Sequence, residues 1–109
     1  MARIELDVEH TLPQPDALAR VKVLGAYYRD HHGATVTWND AVGTIEARYL
    51  AIRLHALVRV EATRVHCEAP DPGFLLRRRG TEYLRKKIQR YLDPATPIEL
   101  LPGFVAPHR

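Results

Sequence analysis

The sequence contains no serine and a single cysteine, Cys67. The lack of serine excludes every mechanism with a serine nucleophile, and one cysteine cannot form a disulfide within the chain. A lone thiol is typical of proteins in a reducing compartment. Because Cys67 falls on the apolar face of a predicted strand, we interpret it as a small core residue rather than a reactive thiol.

Long hydrophobic runs are also missing. No apolar stretch approaches the roughly 18 residues of a membrane span, and the first residues alternate apolar with charged side chains, unlike a signal peptide. A content of 46% hydrophobic and 27% charged residues is typical of globular chains. A length of 109 residues suits one hydrophobic core. We therefore expect a single-domain cytoplasmic protein without a membrane span.

Motifs for cofactors, metals and catalysis are not found in the sequence. The six glycines form neither a dinucleotide-binding fingerprint nor a phosphate-binding loop. His31 and His32 would point about 100° apart on a helix, and His66 and Cys67 would point to opposite faces of a strand. Neither pair has the spacing of an established metal site. The sequence thus predicts no enzyme, no catalytic residue, no metal site and no cofactor.

Hydrophobic periodicity predicts two helices and five strands. Alternation over residues 3–9 predicts a strand, and helical spacing predicts a first helix over about 15–31, which Gly33 would end in a left-handed conformation. Further strand patterns and a second helix follow over residues 35–38, 42–47, 54–60, 64–69 and about 74–92. Residues 49–52 are apolar without clear alternation and remain unassigned.

The order β-α-β-β-β-β-α predicts an α+β fold in which two helices pack on one face of a largely antiparallel sheet. We expect residues 1–93 to form this domain. The tail over residues 94–109 is rich in proline, which forbids a continuous helix, so it is either flexible or draped over the domain. The predicted inward stripe of the second helix is Leu76, Gly80, Tyr83 or Leu84, Ile88 and Tyr91.

Positive charge is concentrated in the second predicted helix. Residues 73–93 hold seven basic and two acidic residues, which leaves nine basic and eleven acidic residues elsewhere in the chain. This asymmetry indicates either an anionic partner for the helix or a solvated helix face. The candidate contacts to an anionic surface are Arg77, Arg78, Arg79, Arg85, Lys86, Lys87 and Arg90.

An apolar cluster stands directly before the basic run. Phe74, Leu75 and Leu76 precede the three arginines, an order typical of an interfacial element that inserts beside a charged surface. The alternative is a first helical turn that packs on the sheet. These three residues are therefore the candidate apolar contacts.

Several segments together resemble a known family. They are the opening M-A-R-I-E-L-D-V-E-H-T-L, the helix after it, the strand Val36-Thr37-Trp38, and Gly73-Phe74-Leu75-Leu76 leading into the basic helix around Ile88. Over residues 1–92 this pattern resembles the small polyhydroxyalkanoic acid system proteins, which are encoded near bacterial polyester synthesis genes. The resemblance implies a cytoplasmic accessory protein linked to polyester granules. The run Arg77-Arg78-Arg79 and the proline-rich tail depart from the family pattern.

Three functional hypotheses follow. The first is a non-enzymatic binding protein that contacts a polyester granule or its coat proteins through the basic helix and residues 74–76. The second is an RNA- or ribosome-associated module, because a sheet covered by two helices, one of them basic, is also found in such domains. The third is a homodimer or other oligomer, which joint exposure of Leu57, Trp38 or Tyr49 would favour.

Overall fold

The chain folds as predicted into an α+β structure with an antiparallel sheet and two helices. The computed structural model describes residues 3–49, 52–70 and 74–105, with the side chains of all of these except 49, 52–54 and 74–77. The elements are β1 (Arg3–Glu9), α1 (Gln14–His32), β2 (Thr35–Asn39), β3 (Val42–Tyr49), β4 (Ile52–Val60), β5 (Arg64–Pro70), α2 (Phe74–Tyr91) and a 3-10 turn (Ile98–Leu100).

The described part of the chain forms a five-stranded sheet in the order β1-β5-β4-β3-β2. Strands β2 to β5 form a meander, in which each strand pairs with the next one. Strand β1 instead joins the far side of β5, so Glu5 lies opposite Glu68 and Asp7 lies opposite His66. The first strand of the fold therefore pairs with the last.

Both helices cover the same face of the sheet, as expected. The alternating residues of β1, β4 and β5 place Leu6, Val58 and Val65 in the core beside Val21 of α1 and Ile88 of α2. Each buried aliphatic side chain of this kind stabilises the fold by roughly 1.5 to 3 kcal/mol. The other face of the sheet is left without a covering helix among the described residues.

Cys67 is part of this core, and its predicted role is confirmed. Burial raises the pKa of its thiol to about 12, so the thiolate that would react is not populated near neutral pH. Trp38 also lies on the helix-covered face, where its ring packs across Gly43 of the neighbouring strand. Leu57 lies on the opposite face, so Leu57 and Trp38 do not form a joint apolar patch, and the side chain of Tyr49 is outside those that the structure describes.

The inward stripe of α2 differs in part from the prediction. Ile88 and Tyr91 are buried as predicted, and Leu84 is half-buried. Gly80 is exposed, so its place in the predicted stripe is wrong, and of the alternatives Tyr83 and Leu84 the structure selects Leu84. The angular step of 100° per residue explains Tyr83, which points about 140° away from Ile88. Gly80 points only about 20° away from the buried Tyr91, and it is exposed because no described atom lies within 4 Å of its Cβ position. Leu76 falls outside the described side chains.

The tail lies against the body of the protein over residues 94–105. Leu101 is buried in the main core, and the hydroxyl of Tyr91 donates a 2.6 Å hydrogen bond to the carbonyl of Pro102. Gly103 has a φ of 101° and approaches the backbone of α1 so closely that a Cβ would come within 2.6 Å of the Val23 carbonyl oxygen. The tail was expected to be either flexible or draped over the domain, and residues 94–105 are draped over it.

Over the part of the chain that the structure describes, no helix contains an 18-residue window apolar enough to cross a bilayer.

Candidate anionic-surface site

Helix α2 is held at its C-terminal end by a buried arginine of α1. One guanidinium nitrogen of Arg20 donates to the carbonyls of Tyr91 and Asp93, at 3.1 and 3.0 Å. The two carbonyls lie at the C-terminal end of α2 and just beyond it, where the helix provides no N–H donors for them. The helix dipole also makes a positive charge favourable at this end. Together with Ile88 and Tyr91 in the core, Arg20 fixes which side of α2 faces solvent.

Three of the predicted basic residues lie on the side of α2 opposite Ile88. Arg79, Lys86 and Arg90 are all exposed, and helical geometry places them within about 20° of one direction and along roughly 16 Å of helix. Among the described side chains, none of the three forms an ion pair with a carboxylate. We call Arg79, Lys86 and Arg90 the outer row.

Three other candidates have contacts within the protein. Arg78 lies 3.6 Å from Glu82 in an exposed ion pair one turn away. Arg85 donates to the backbone carbonyl of Asp7 at 3.1 Å, which ties α2 to β1. Lys87 lies 4.5 Å from the ring centroid of Tyr27, a cation-π contact between the two helices. Arg78 is exposed but points about 100° away from the outer row, whereas Arg85 and Lys87 contribute to helix packing.

The remaining candidates lie in the first turn of α2. Phe74, Leu75, Leu76 and Arg77 belong to the helix, and their side chains are outside those the structure describes. Their predicted contacts therefore stay predictions. Their position places them at the same end of α2 as Arg78 and Arg79.

Tyr83, which helical spacing predicts as an alternative to Leu84 in the inward stripe, is a surface residue. It is 52% exposed and lies beside the outer row, between the levels of Arg79 and Lys86. Its hydroxyl accepts a 3.2 Å hydrogen bond from the hydroxyl of Tyr28 on α1. Burial, together with this hydrogen bond, raises the pKa of the Tyr28 hydroxyl. The ring of Tyr83 is thus fixed at one edge and open to solvent.

An open groove of about 550 Å³ adjoins the C-terminal end of the outer row. Lys86 and Arg90 line one wall, and Glu9 at the end of β1 and the adjacent His10 line the other, with Asp93 at the end of the groove. His10 is fixed there because its two ring nitrogens pair with the Glu61 carbonyl and the Leu12 amide. The mixed charge of the groove does not select an anion, in contrast to the outer row.

A second group of titratable side chains lies on the uncovered sheet face. Nδ1 of His66 is 2.6 Å from a carboxylate oxygen of Asp7, and Nε2 is 3.7 Å from an oxygen of Glu5 and 3.7 Å from one of Glu68. The hydrogen bond from His66 is the main cause that lowers the pKa of Asp7, with smaller contributions from the charges of His66, Arg64 and Arg85. The sequence does not reveal this group because it depends on the pairing of β1 with β5.

Comparisons with protein-family models, with curated proteins and with solved structures find no match to this chain. The likeness to the polyhydroxyalkanoic acid system proteins thus stays a prediction from the sequence.

Proposed function

We propose that this protein is a non-enzymatic accessory protein that binds an extended anionic surface through the outer row of α2. The observation that carries the proposal is the common direction of Arg79, Lys86 and Arg90 on an exposed helix face. Guanidinium and ammonium groups bind phosphates and carboxylates by charge-assisted hydrogen bonds. A convex row of this kind suits a flat or elongated ligand better than a small molecule, which needs a concave site.

The first surface to consider is that of a polyester granule or its coat proteins. This choice rests on the sequence resemblance given above. The predicted apolar contacts Phe74, Leu75 and Leu76 stand one turn before the basic residues of the same helix. Apolar insertion beside cationic contacts is the usual arrangement of helices that lie on an interface. The two kinds of contact differ in their response to salt, since screening weakens the cationic part alone.

Co-sedimentation with native polyester granules tests this proposal. The variant Arg79→Gln/Lys86→Gln/Arg90→Gln removes the outer row, and Arg29→Gln/Arg48→Gln/Arg59→Gln removes the same charge from other surfaces. Each cation near an anionic lipid surface contributes about 1 kcal/mol, so we expect the first variant to bind about 100-fold more weakly at low salt. The control is expected to bind like the native protein. Equal losses in both variants would mean that only net charge matters, and undiminished binding by the first variant would exclude the outer row.

A second candidate ligand is single-stranded RNA, because Tyr83 offers a stacking surface beside the outer row. An aromatic ring between cations is the arrangement that many single-strand binders use, and stacking of one base contributes about 1 to 3 kcal/mol. If RNA is the ligand, Tyr83→Ala should weaken binding to a uridine oligomer by about 5- to 150-fold, whereas Tyr83→Phe retains it. Granule binding through Phe74, Leu75 and Leu76 predicts no difference between these two variants.

A further inference from the structure

The face of the sheet that neither helix covers carries carboxylate and imidazole groups of the kind that bind metal ions. Glu5 and Glu68 stand directly opposite each other on β1 and β5, and His66 precedes Glu68 by two positions on the same face. One ligand atom from each of the three residues lies within 4.8 Å of the other two. We propose that Glu5, His66 and Glu68 bind a divalent transition-metal ion, with Zn²⁺ as the best fit, and that Asp7 positions His66 for it.

The orientation of His66 is the first argument. Because Nδ1 donates a 2.6 Å hydrogen bond to the Asp7 carboxylate, the neutral ring carries its proton on Nδ1, and the lone pair is on Nε2, the nitrogen that lies 3.7 Å from an oxygen of each glutamate. In metal sites, the ring nitrogen of a histidine that does not bind the metal usually donates a hydrogen bond to a carboxylate, which orients the imidazole. Only 14% of the His66 side chain is exposed, so the ring is also held by its surroundings.

Distances are the second argument. The Nε2 atom is 3.7 Å from each glutamate oxygen, which is too long for a hydrogen bond. Ligands at about 2.1 Å from a tetrahedral Zn²⁺ ion are separated by about 3.4 Å from one another. A shift of about 0.3 Å in each glutamate oxygen would bring both to that separation from Nε2, and the two oxygens already lie within 4.8 Å of each other. The side chain of Glu5 is 65% exposed and free to make this shift.

Charge is the third argument. Like charges directly opposite each other on neighbouring strands are unfavourable, yet Glu5 faces Glu68 across the β1–β5 pair. A divalent cation between them neutralises both carboxylates. The imidazole nitrogen favours Zn²⁺ over Mg²⁺ and Ca²⁺, which prefer six or more oxygen ligands. With three protein ligands on an uncovered face, the fourth position would be filled by water.

Calorimetric titration of the untagged protein with Zn²⁺ at pH 7.5 tests the proposal, with Mg²⁺ as the comparison ion. We expect one Zn²⁺ per chain, no comparable Mg²⁺ binding, and loss of the site in His66→Gln and in Glu5→Gln/Glu68→Gln. Two controls should retain the site. Glu9→Gln removes a carboxylate from the same face of β1, and His31→Gln/His32→Gln removes two exposed histidines of α1. Far-UV circular dichroism of each variant separates loss of the site from loss of the fold.

The role of Asp7 has its own readout. Asp7→Asn should lower the affinity for Zn²⁺ by about 10- to 100-fold, the usual effect of removing the group that holds a ligating histidine. Nitrogen chemical shifts of His66 should show Nδ1–H in the native protein and a mixture of tautomers in this variant. Absence of a one-to-one Zn²⁺ complex, or binding that survives His66→Gln, would overturn the proposal. The outer-row variant should bind Zn²⁺ normally, so this test does not depend on the function proposed for α2.

Discussion

Arg20 shows how a charged side chain can be part of the core of this small domain. It is 8% exposed, and its two hydrogen bonds go to carbonyls at the end of α2. A buried arginine is favourable only when such partners exist, because its desolvation is costly. In the sequence, Arg20 falls between the apolar positions Leu18 and Val21 of α1 and looks like a surface residue. Its role depends on where the second helix ends, which periodicity alone does not predict.

Replacing Arg20 with methionine tests this role. The variant Arg20→Met keeps most of the apolar stem and removes both donors, so two carbonyls of the α2 terminus lose their protein partner. We expect a loss of about 2 to 3 kcal/mol in the free energy of unfolding, measured with urea. Arg29→Met, an exposed arginine on the same helix, should change it by less than about 0.5 kcal/mol. Equal effects in the two variants would contradict the role of Arg20.

At the scale of elements, α2 has one side that packs in the core and an opposite side that is exposed to solvent. Ile88 and Tyr91 determine its rotation, and the outer row then faces away from the sheet, while Gly80 lies where no described atom packs against the helix. The apolar pattern predicted the helix itself but not its exact rotation, because Leu84, Tyr83 and Gly80 all fit an approximate stripe. Contacts from α1, including Lys87 over the Tyr27 ring, select one of these rotations.

The exposed position of Gly80 makes a stabilising substitution possible. A Cβ built at this residue meets nothing within 4 Å, and its φ lies outside the left-handed region. Gly80→Ala should therefore stabilise the protein by about 0.5 to 1 kcal/mol through the lower entropy of the unfolded chain. The melting temperature should rise by about 2 to 8 °C in a thermal scan.

Gly33 is the matched control for this substitution. It ends α1 with a φ of 67°, which an L side chain adopts only with strain, although it also has open space around its Cβ position. Gly33→Ala should lower the melting temperature. If both glycine variants shifted the melting temperature in the same direction, backbone conformation would not be the cause.

At the scale of the whole molecule, the tail completes the core. Leu101 is 3% exposed while its neighbour Leu100 is 71% exposed, so the two positions form a natural pair for comparison. Leu101→Ala should destabilise the protein by about 2 to 5 kcal/mol, as for other buried leucines, and Leu100→Ala by less than about 0.5 kcal/mol. Urea denaturation measures both values. A small effect of Leu101→Ala would show that the tail does not stabilise the body in solution.

The sequence predicted the order and type of the elements because period-two and helical patterns are local. It left open the pairing of strands that lie far apart in the chain. The group of Glu5, His66 and Glu68 depends on such pairing, as does the burial of Leu101 by a segment that has no periodicity of its own. The sequence also identified the seven basic residues of α2 as candidates. Only the structure shows that Arg85 and Lys87 contact other parts of the protein, whereas the outer row faces solvent.

The pairing of β1 with β5 has a consequence for synthesis of the chain. Even the nearest partners in this pair, Glu9 and Arg64, are 55 positions apart. At about 5 to 20 residues per second, a ribosome reaches Arg64, the first residue of β5, roughly 3 to 11 s after it completes β1. During that time both edges of β1 are unpaired and open to other chains. Glu5, Asp7 and Glu9 place a negative charge at every second position of β1. Charged side chains disfavour pairing of an open strand with other chains, so these carboxylates protect the nascent chain from aggregation.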